Sequence, residues 1–524
     1  MRTIHRSLIG AAVLALALSA CGSSGTGGNK AGGTKPVTGG TLTLAFSADI
    51  TTLDPTQSGG TGSEAIKTMI FNSLTQLKPN SNAAPTVIPQ LATSWSASGD
   101  TWTFHLRTGV KFQDGTPFNA AAVKAQFDRL LGPEAPLDSR NFTPYVSSVV
   151  AVNSSTVVFH TLFPDPELPL QLAGSGGLIE SPTSVAKYGV KNYGTHPVGT
   201  GPFEFVSWTP GQQVVLKAFN GYWRGRPKLK EVIMKPITDD SSRLIALQNG
   251  AIQVDASVAS QQIATVKSSS QFKVSSWPTE LSVFVGMNNL MAPFNDLKVR
   301  QAVNYAIDWP AIASSIYQGT AKAIGGPVQP YAEGAAHLNG YPYDPAKAKQ
   351  LLAQAGFPTG FSTSIMTTNG AIQKDYEMIQ AVQQYLAAVG IKASIQTVDY
   401  ATYISEVHQR TKMDKPMFLD DWNDDVAAFI LRDRYETATT TTGRVNMSGI
   451  SVSTIDQLVN AANRNLNAAS RNAELLQAQK LVVQDAPTTW GVVLNNTAAW
   501  STKVHGLIRT NVGTMWADQN TWVG

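Results

Sequence analysis

The stretch Asp100-Thr-Trp-Thr-Phe-His-Leu-Arg-Thr-Gly-Val-Lys-Phe-Gln-Asp-Gly-Thr-Pro-Phe-Asn119 constrains this chain more than any other. Trp102, Phe104 and Leu106 alternate with Thr101, Thr103 and His105, the period of a half-buried strand. Gly109 breaks the pattern, Val110-Lys111-Phe112 restarts it, and Asp114-Gly115-Thr116-Pro117 has the chemistry of a turn. Asn119 is placed to cap a helix carrying Val123, Phe127, Leu130 and Leu131 on one inward face. The run predicts a strand, a turn and a helix packed as one unit.

A chain of 524 residues exceeds one ordinary core, so two or more lobes are expected. With 43% apolar and 15% charged residues the composition is globular. A formal charge of +4 without a clustered basic stripe argues against a nucleic-acid partner. The first residues read as a targeting segment. Arg2, His5 and Arg6 precede the apolar run Leu8 to Leu18, too short for a bilayer and suited to a secretory signal over residues 1–20. Leu18-Ser19-Ala20-Cys21 looks like a lipobox, whose cysteine becomes diacylated and heads the mature protein. Cys21 is the only cysteine, so no disulfide forms within the chain and packing must stabilise it. Residues 21–40 have the Gly/Ser-rich composition of a flexible tether. The expectation is an exported protein held by its N-terminal lipid at the outer face of the cell membrane, in the periplasmic space.

Thr41 to Phe46 alternates as a first strand, Thr52-Leu-Asp-Pro55 turns, and a helix follows with Ile66, Met69, Ile70 and Leu74. Pro89-Gln-Leu-Ala-Thr-Ser-Trp95 precedes the opening run; Pro197-Val-Gly-Thr-Gly-Pro-Phe203 and Asn220-Gly-Tyr-Trp-Arg-Gly-Arg-Pro227 come after it. Further on, Asp296 is placed to cap a helix from Leu297 to Ile307 with Val299, Val303, Ala306 and Ile307 inward. A helix over 371–389, a strand from Ile391 to Val398 and helices over 454–468 and 471–485 complete an α/β alternation. These motifs, with Phe294-Asn-Asp-Leu-Lys-Val-Arg-Gln-Ala-Val-Asn-Tyr-Ala-Ile-Asp308, resemble in kind and order the bacterial extracellular solute-binding proteins of family 5, the binding components of peptide/nickel-type ABC importers.

The resemblance implies an α/β, two-lobed periplasmic-binding-protein (clamshell) fold of the cluster C type with an extra subdomain. Residues 41–75, 196–280 and 497–524 would form one subdomain of the first lobe, 76–195 the second, and 281–496 the opposing lobe. It further implies a monomer that captures a small solute, most readily an oligopeptide or dipeptide, and delivers it to a permease and its ATPase without any cofactor.

No enzyme signature contradicts this. There is no Gly-x-Ser-x-Gly elbow, no His-x-x-x-His pair and no Gly-rich phosphate loop. The notable cluster is Asp420-Asp-Trp-Asn-Asp-Asp425, which lacks the glycine and the final glutamate of a calcium loop. It reads either as a solvated acidic loop balanced by Arg432 and Arg434 or as the carboxylates of a hydrolase. The resemblance supplies a third reading. Peptide-binding members carry tryptophan-x-x-aspartate here, the carboxylate pairing with the ligand's terminal ammonium, and Trp422 and Asp425 fit that spacing, with Asp424 beside them. Val426-Ala-Ala-Phe429 departs from the family pattern and keeps a non-peptide solute (an oligosaccharide or a metal chelate) open. Tyr400, Tyr403 and Trp277 fall in segments that approach the cleft in relatives, although for each taken singly a core position is the stronger reading. Arg300 reads as structural.

Overall fold

The computed structural model describes residues 35–524 except 58, 82–83, 134, 136–144, 408–413, 425, 439–444, 511–512 and 514. Val37–Gly524 is one compact unit; of the unit Met1–Pro36 only Lys35 and Pro36 are described, and both are exposed. The expectations for the signal over 1–20, the lipobox Cys21 and most of the tether 21–40 lie outside the described residues. No helix among the described residues is long and apolar enough to cross a membrane.

An eleven-stranded sheet organises the unit. Its centre is an antiparallel pair, Phe272–Met287 and Val492–Ser501, which runs from one lobe into the other. In one lobe Leu281 to Met287 pair with Met417–Asn423, followed by the parallel strands Ser362–Thr367 and Lys392–Thr397. In the other, Val492–Ser501 pairs with Val254–Asp255, beyond which lie Thr41–Phe46, Glu231–Pro236, Gln213–Ala218 and Phe203–Thr209. The helix Asp375–Ala388 links two parallel strands, as such a crossover requires, and buries Met378, Ile379, Val382 and Leu386. The expected helix over 371–389 begins later because the Asp375 carboxylate accepts the backbone N–H groups of Gly370, Ala371 and Ile372, holding them in a turn. Asn467 caps Ala468–Asp485 by accepting the Ser470 N–H, so the helix expected over 454–468 ends at Ala462.

The opening run builds a separate four-stranded antiparallel sheet of Ala92–Ser98, Thr101–Leu106, Thr156–Thr161 and Val146–Asn153. Trp102, Phe104 and Leu106 are buried together with Phe127 and Phe159, whose rings meet edge-on at 4.8 Å. Asn119 accepts the Ala122 N–H and caps Ala120–Leu131. Leu131, expected inward, is 39% exposed: it is the last helical residue, one position beyond the buried Leu130. Val110-Lys111-Phe112 makes no strand; Phe112 N–H donates to Thr116 O (2.8 Å), and Lys111 bridges Pro117, closing the turn instead.

That turn joins two cores. The Gln113 Nε2 donates to the carbonyls of Ile70 (2.9 Å), Gly201 (3.2 Å) and Phe203 (2.8 Å), while its Oε1 accepts Gly199 N–H (3.0 Å). Gly199 and Gly201 allow this approach, because a Cβ at either would meet the Ile70 carbonyl oxygen. Replacing the amide by an apolar side chain of similar size removes the Gln113 donor from the Gly201 and Phe203 carbonyls and the acceptor from Gly199 N–H, while Ile70 O keeps the Gly201 N–H. A lost buried hydrogen bond of this kind costs roughly 1–3 kcal/mol. Gln113→Leu is therefore expected to lower the unfolding free energy by that amount, read as a lower urea midpoint at an unchanged slope, with unchanged far-UV circular dichroism; an unshifted midpoint would show the amide to be dispensable.

Candidate functional site

A cavity of about 500 Å³ lies where Asn423, Asp424, Val426 and Phe429 of one lobe face the other. Phe71, Tyr222 and Trp516 supply apolar wall, and Glu64, Glu280, Arg224 and Asp518 line it with Asp424. The strand Met417–Asn423 ends at this wall, and the helix Ala427–Tyr435 starts just after it. Asp424 Oδ1 accepts the Val426 N–H at 3.0 Å, a turn that delivers the chain from strand to helix. The buried Gln329 amide donates to the carbonyls of both Glu280 (3.1 Å) and Asp424, holding the two acid-bearing positions side by side.

The opposite wall carries a cation. Arg224 lies 4.5 Å over the Trp223 ring and its Nη1 donates to Gln76 Oε1 at 3.1 Å. Trp223 is fixed by donating Nε1–H to Asn72 Oδ1 (2.9 Å), and Arg107 lies 4.9 Å over the same ring. Burial pulls the Arg224 guanidinium below its ordinary value, and Arg107 pulls in the same direction; Tyr222 and Asp518 oppose them. Burial likewise raises the Asp518 carboxyl. Glu64, by contrast, sits 2.6 Å from the buried Lys67 ammonium.

The sequence-based candidates divide. Asp424 lines the cavity. Asp425 lies outside the described residues. Trp422 points to a smaller pocket with Phe284 and Arg434, the Arg434 guanidinium lying 5.0 Å over its ring. Tyr403, 1% exposed, packs in the core and donates to Leu419 O at 2.7 Å; Tyr400, 52% exposed, stacks on it at 6.1 Å. Trp277, 2% exposed, belongs to the first lobe's core, with Arg509 lying 5.3 Å over its ring. None of Trp422, Tyr400, Tyr403 and Trp277 lines the 500 Å³ cavity.

The acidic run is no solvated loop. Asp420, Asp421, Trp422 and Asn423 are strand, and Asp420 pairs with Arg434 inside the fold, where burial pushes its carboxyl up to about 6. Arg432 pairs instead with Asp433 at 2.6 Å. Sequence reading missed Arg224, Glu280 and Asp518. Arg224 stood in the quoted Tyr-Trp-Arg run, and the break that exposes Glu280 was signalled by Pro278, which cannot continue a ladder.

A second cavity of about 660 Å³ lies against Asn495, Asn496 and Thr497 of Val492–Ser501, lined also by Asp49, Arg243 and Lys374. The lobes also touch beside the first cavity. Arg471 reaches Glu167 (3.2 Å) and Glu333 (2.5 Å), Arg432 lies 5.2 Å over Tyr145, and Arg464 lies 5.0 Å over Phe163.

Next to this latch Asp165 is buried, accepting Glu167 N–H (3.0 Å) and Gln171 Nε2 (2.9 Å), and burial raises its carboxyl from 3.8 to about 6. The folded state thus holds a proton that the unfolded state releases, so stability falls as pH rises from about 4 to about 6. The full shift corresponds to about 3 kcal/mol at most. Asp165→Asn is expected to reduce the fall of the urea midpoint between pH 4 and pH 7, Asp420 and Glu180 keeping the remainder; an equal slope in the variant would assign the whole loss to other groups.

Comparison with known proteins agrees with this architecture. Residues 86–429 match the family model described as bacterial extracellular solute-binding proteins, family 5 middle. The glutathione-binding protein GsiB of Shigella dysenteriae is 32% identical over 453 residues, covering 85% of this chain and 87% of that protein. Among solved structures, the periplasmic binding protein DppA of Helicobacter pylori in complex with the peptide STSA is 25% identical with TM-score 0.73, covering 93% of this chain and 98% of that one. AgaA of A. tumefaciens R10 in complex with agropinic acid is 26% identical with TM-score 0.73, covering 93% and 99%. These relatives are binding proteins, so the hydrolase reading of Asp420 to Asp425 falls, with Asp420 already engaged by Arg434. The chain belongs to family 5 of the bacterial extracellular solute-binding proteins and has their two-lobed α/β fold.

Proposed function

We propose that the chain is the extracytoplasmic substrate-binding component of an ABC importer, and that it captures a short peptide in the 500 Å³ cavity for delivery to a membrane permease and its ATPase. On this reading residues 41–75, 196–280 and 497–524 act as one subdomain of the first lobe, 76–195 as the second and 281–496 as the opposing lobe. The lipid on Cys21 keeps a monomeric receptor at the membrane. The observation that carries the reading is the cavity's charge arrangement. The positions of Asp424 and Glu280 share one clamp, the Gln329 amide, and Arg224 belongs to the other lobe. A peptide ammonium removed from water needs a carboxylate partner, and Asp424 lines that wall, with Asp425 next to it in sequence. The relatives point the same way, one named for glutathione and one solved with the peptide STSA.

A second reading, a non-peptide solute, is favoured by Val426-Ala-Ala-Phe429 and by the agropinic acid bound to AgaA. Acetylation of the amine separates the two. A tripeptide pool is expected to raise the melting temperature of the purified protein, its N-acetylated form much less, and Asp424→Asn or Asp425→Asn to weaken the free-amine pool at least tenfold, about 1.4 kcal/mol. A bound solute released in native mass spectrometry that lacks an amine would favour the second reading.

A further inference from the structure

We propose that Arg224 is a specificity-determining residue that receives a carboxylate of the bound solute, so that the cargo is a solute bearing a free acid group. The inference rests on the reading that the 500 Å³ cavity holds the cargo, and it adds the chemistry of the end opposite Asp424.

The arginines whose side chains are 10% exposed or less are held in ion pairs with carboxylates. Arg129 pairs with Asp54 and Glu180, Arg243 with Asp240 and Asp255, Arg300 with Asp485, Arg434 with Asp420, and Arg471 with Glu167 and Glu333. Arg224 departs from this pattern, as does its half-buried neighbour Arg107, which donates to the Gln90 carbonyl and does not line the cavity. Arg224 lines the cavity half-buried, its side chain donates to the Gln76 amide oxygen, and no carboxylate among the described residues forms an ion pair with it. Asp518 attracts it only from beyond ion-pair distance.

Its orientation is fixed in advance. The guanidinium lies over the Trp223 ring, Trp223 is held by Asn72, and Arg107 over the same ring adds a second positive charge. A guanidinium is planar and holds its fork of N–H donors in one plane, the geometry that takes a carboxylate through two parallel hydrogen bonds. Two cations around one ring repel each other, and an incoming anion relieves that repulsion. An amide or hydroxyl at the same place accepts a hydrogen bond and leaves the charge uncompensated.

The test compares a random tripeptide pool with free C-termini, the same pool as C-terminal amides, and a pool of amine-free dicarboxylates, by thermal shift and calorimetry on wild type, Arg224→Gln and Arg224→Lys. Wild type is expected to prefer the free acids over the amides at least tenfold. Arg224→Gln erases that preference at an unchanged unliganded melting temperature, and Arg224→Lys keeps part of it by retaining charge without the fork. Equal binding of acid and amide by wild type, or a preference that survives in Arg224→Gln, overturns the assignment. If no peptide pool binds but the dicarboxylates do, with loss in Arg224→Gln, the peptide reading fails and Arg224 stands. A wild type that answers to none of these acids overturns Arg224 as well.

Discussion

The structure depends on two strands that belong to both lobes. Phe272–Met287 and Val492–Ser501 form one antiparallel ribbon, and the other strands of the large sheet extend outward from one end of it or the other. Midway the register slips between Pro278 and Ser282, where proline removes a ladder donor. At the same level Asn495, Asn496 and Thr497 face the 660 Å³ cavity, while Glu280 faces the 500 Å³ one. The ribbon is therefore thinnest in hydrogen bonds where the cavities are. A β-ladder bends most easily at such a slip, which suits lobes that change their separation around a solute.

Among the described residues, the side-chain contacts that cross between the lobes beside that ribbon are largely polar. Arg471 with Glu167, Arg432 over Tyr145 and Arg464 over Phe163 cross the gap near the 500 Å³ cavity, with Leu170 packing against the second lobe's apolar cluster. Stacked cations and one ion pair contribute about 1 kcal/mol each, far less than a fused apolar core. Contacts of this size bias an equilibrium without locking it. A solute that touches both walls then shifts the population by its differential affinity, and a solute that touches one wall equally in both states shifts nothing.

Sequence periodicity exposed most of the scaffold and little of the site. Trp102, Phe104 and Leu106, the cap at Asn119 and the cap at Asp296 follow from alternation and side-chain chemistry within a few residues, and the structure realises them. Trp277 and Tyr403 looked like cleft aromatics by kinship, but a large apolar ring is stabilised wherever a core will cover it, and both are covered. Gln113 shows the opposite failure. It sits in the most recognisable run of the chain, yet its four hydrogen bonds go to residues 43 to 90 positions away, which no local pattern encodes. Arg224 was hidden for the same reason, since its partners Gln76 and Arg107 lie far off in the chain.

The acidic run shows how adjacent charges acquire different tasks. Asp420 lies within the strand, opposite Phe284 and against Arg434, so its charge is consumed by the fold. Asp424 comes one residue after the strand ends, where alternation no longer dictates a core or surface side and the Gln329 clamp sets the backbone. Moving four positions turns a structural carboxylate into one at a cavity wall. With Arg224 on the far wall beside Asp518, the cavity carries both signs of charge and is not a uniformly acidic pit. On the proposed reading, a solute with both an ammonium and a carboxylate compensates both walls at once. A solute with one charge leaves the opposite group desolvated in the closed state, a cost of several kcal/mol for a buried ion. Discrimination then comes less from the strength of either contact than from the requirement that both be made before the lobes can close.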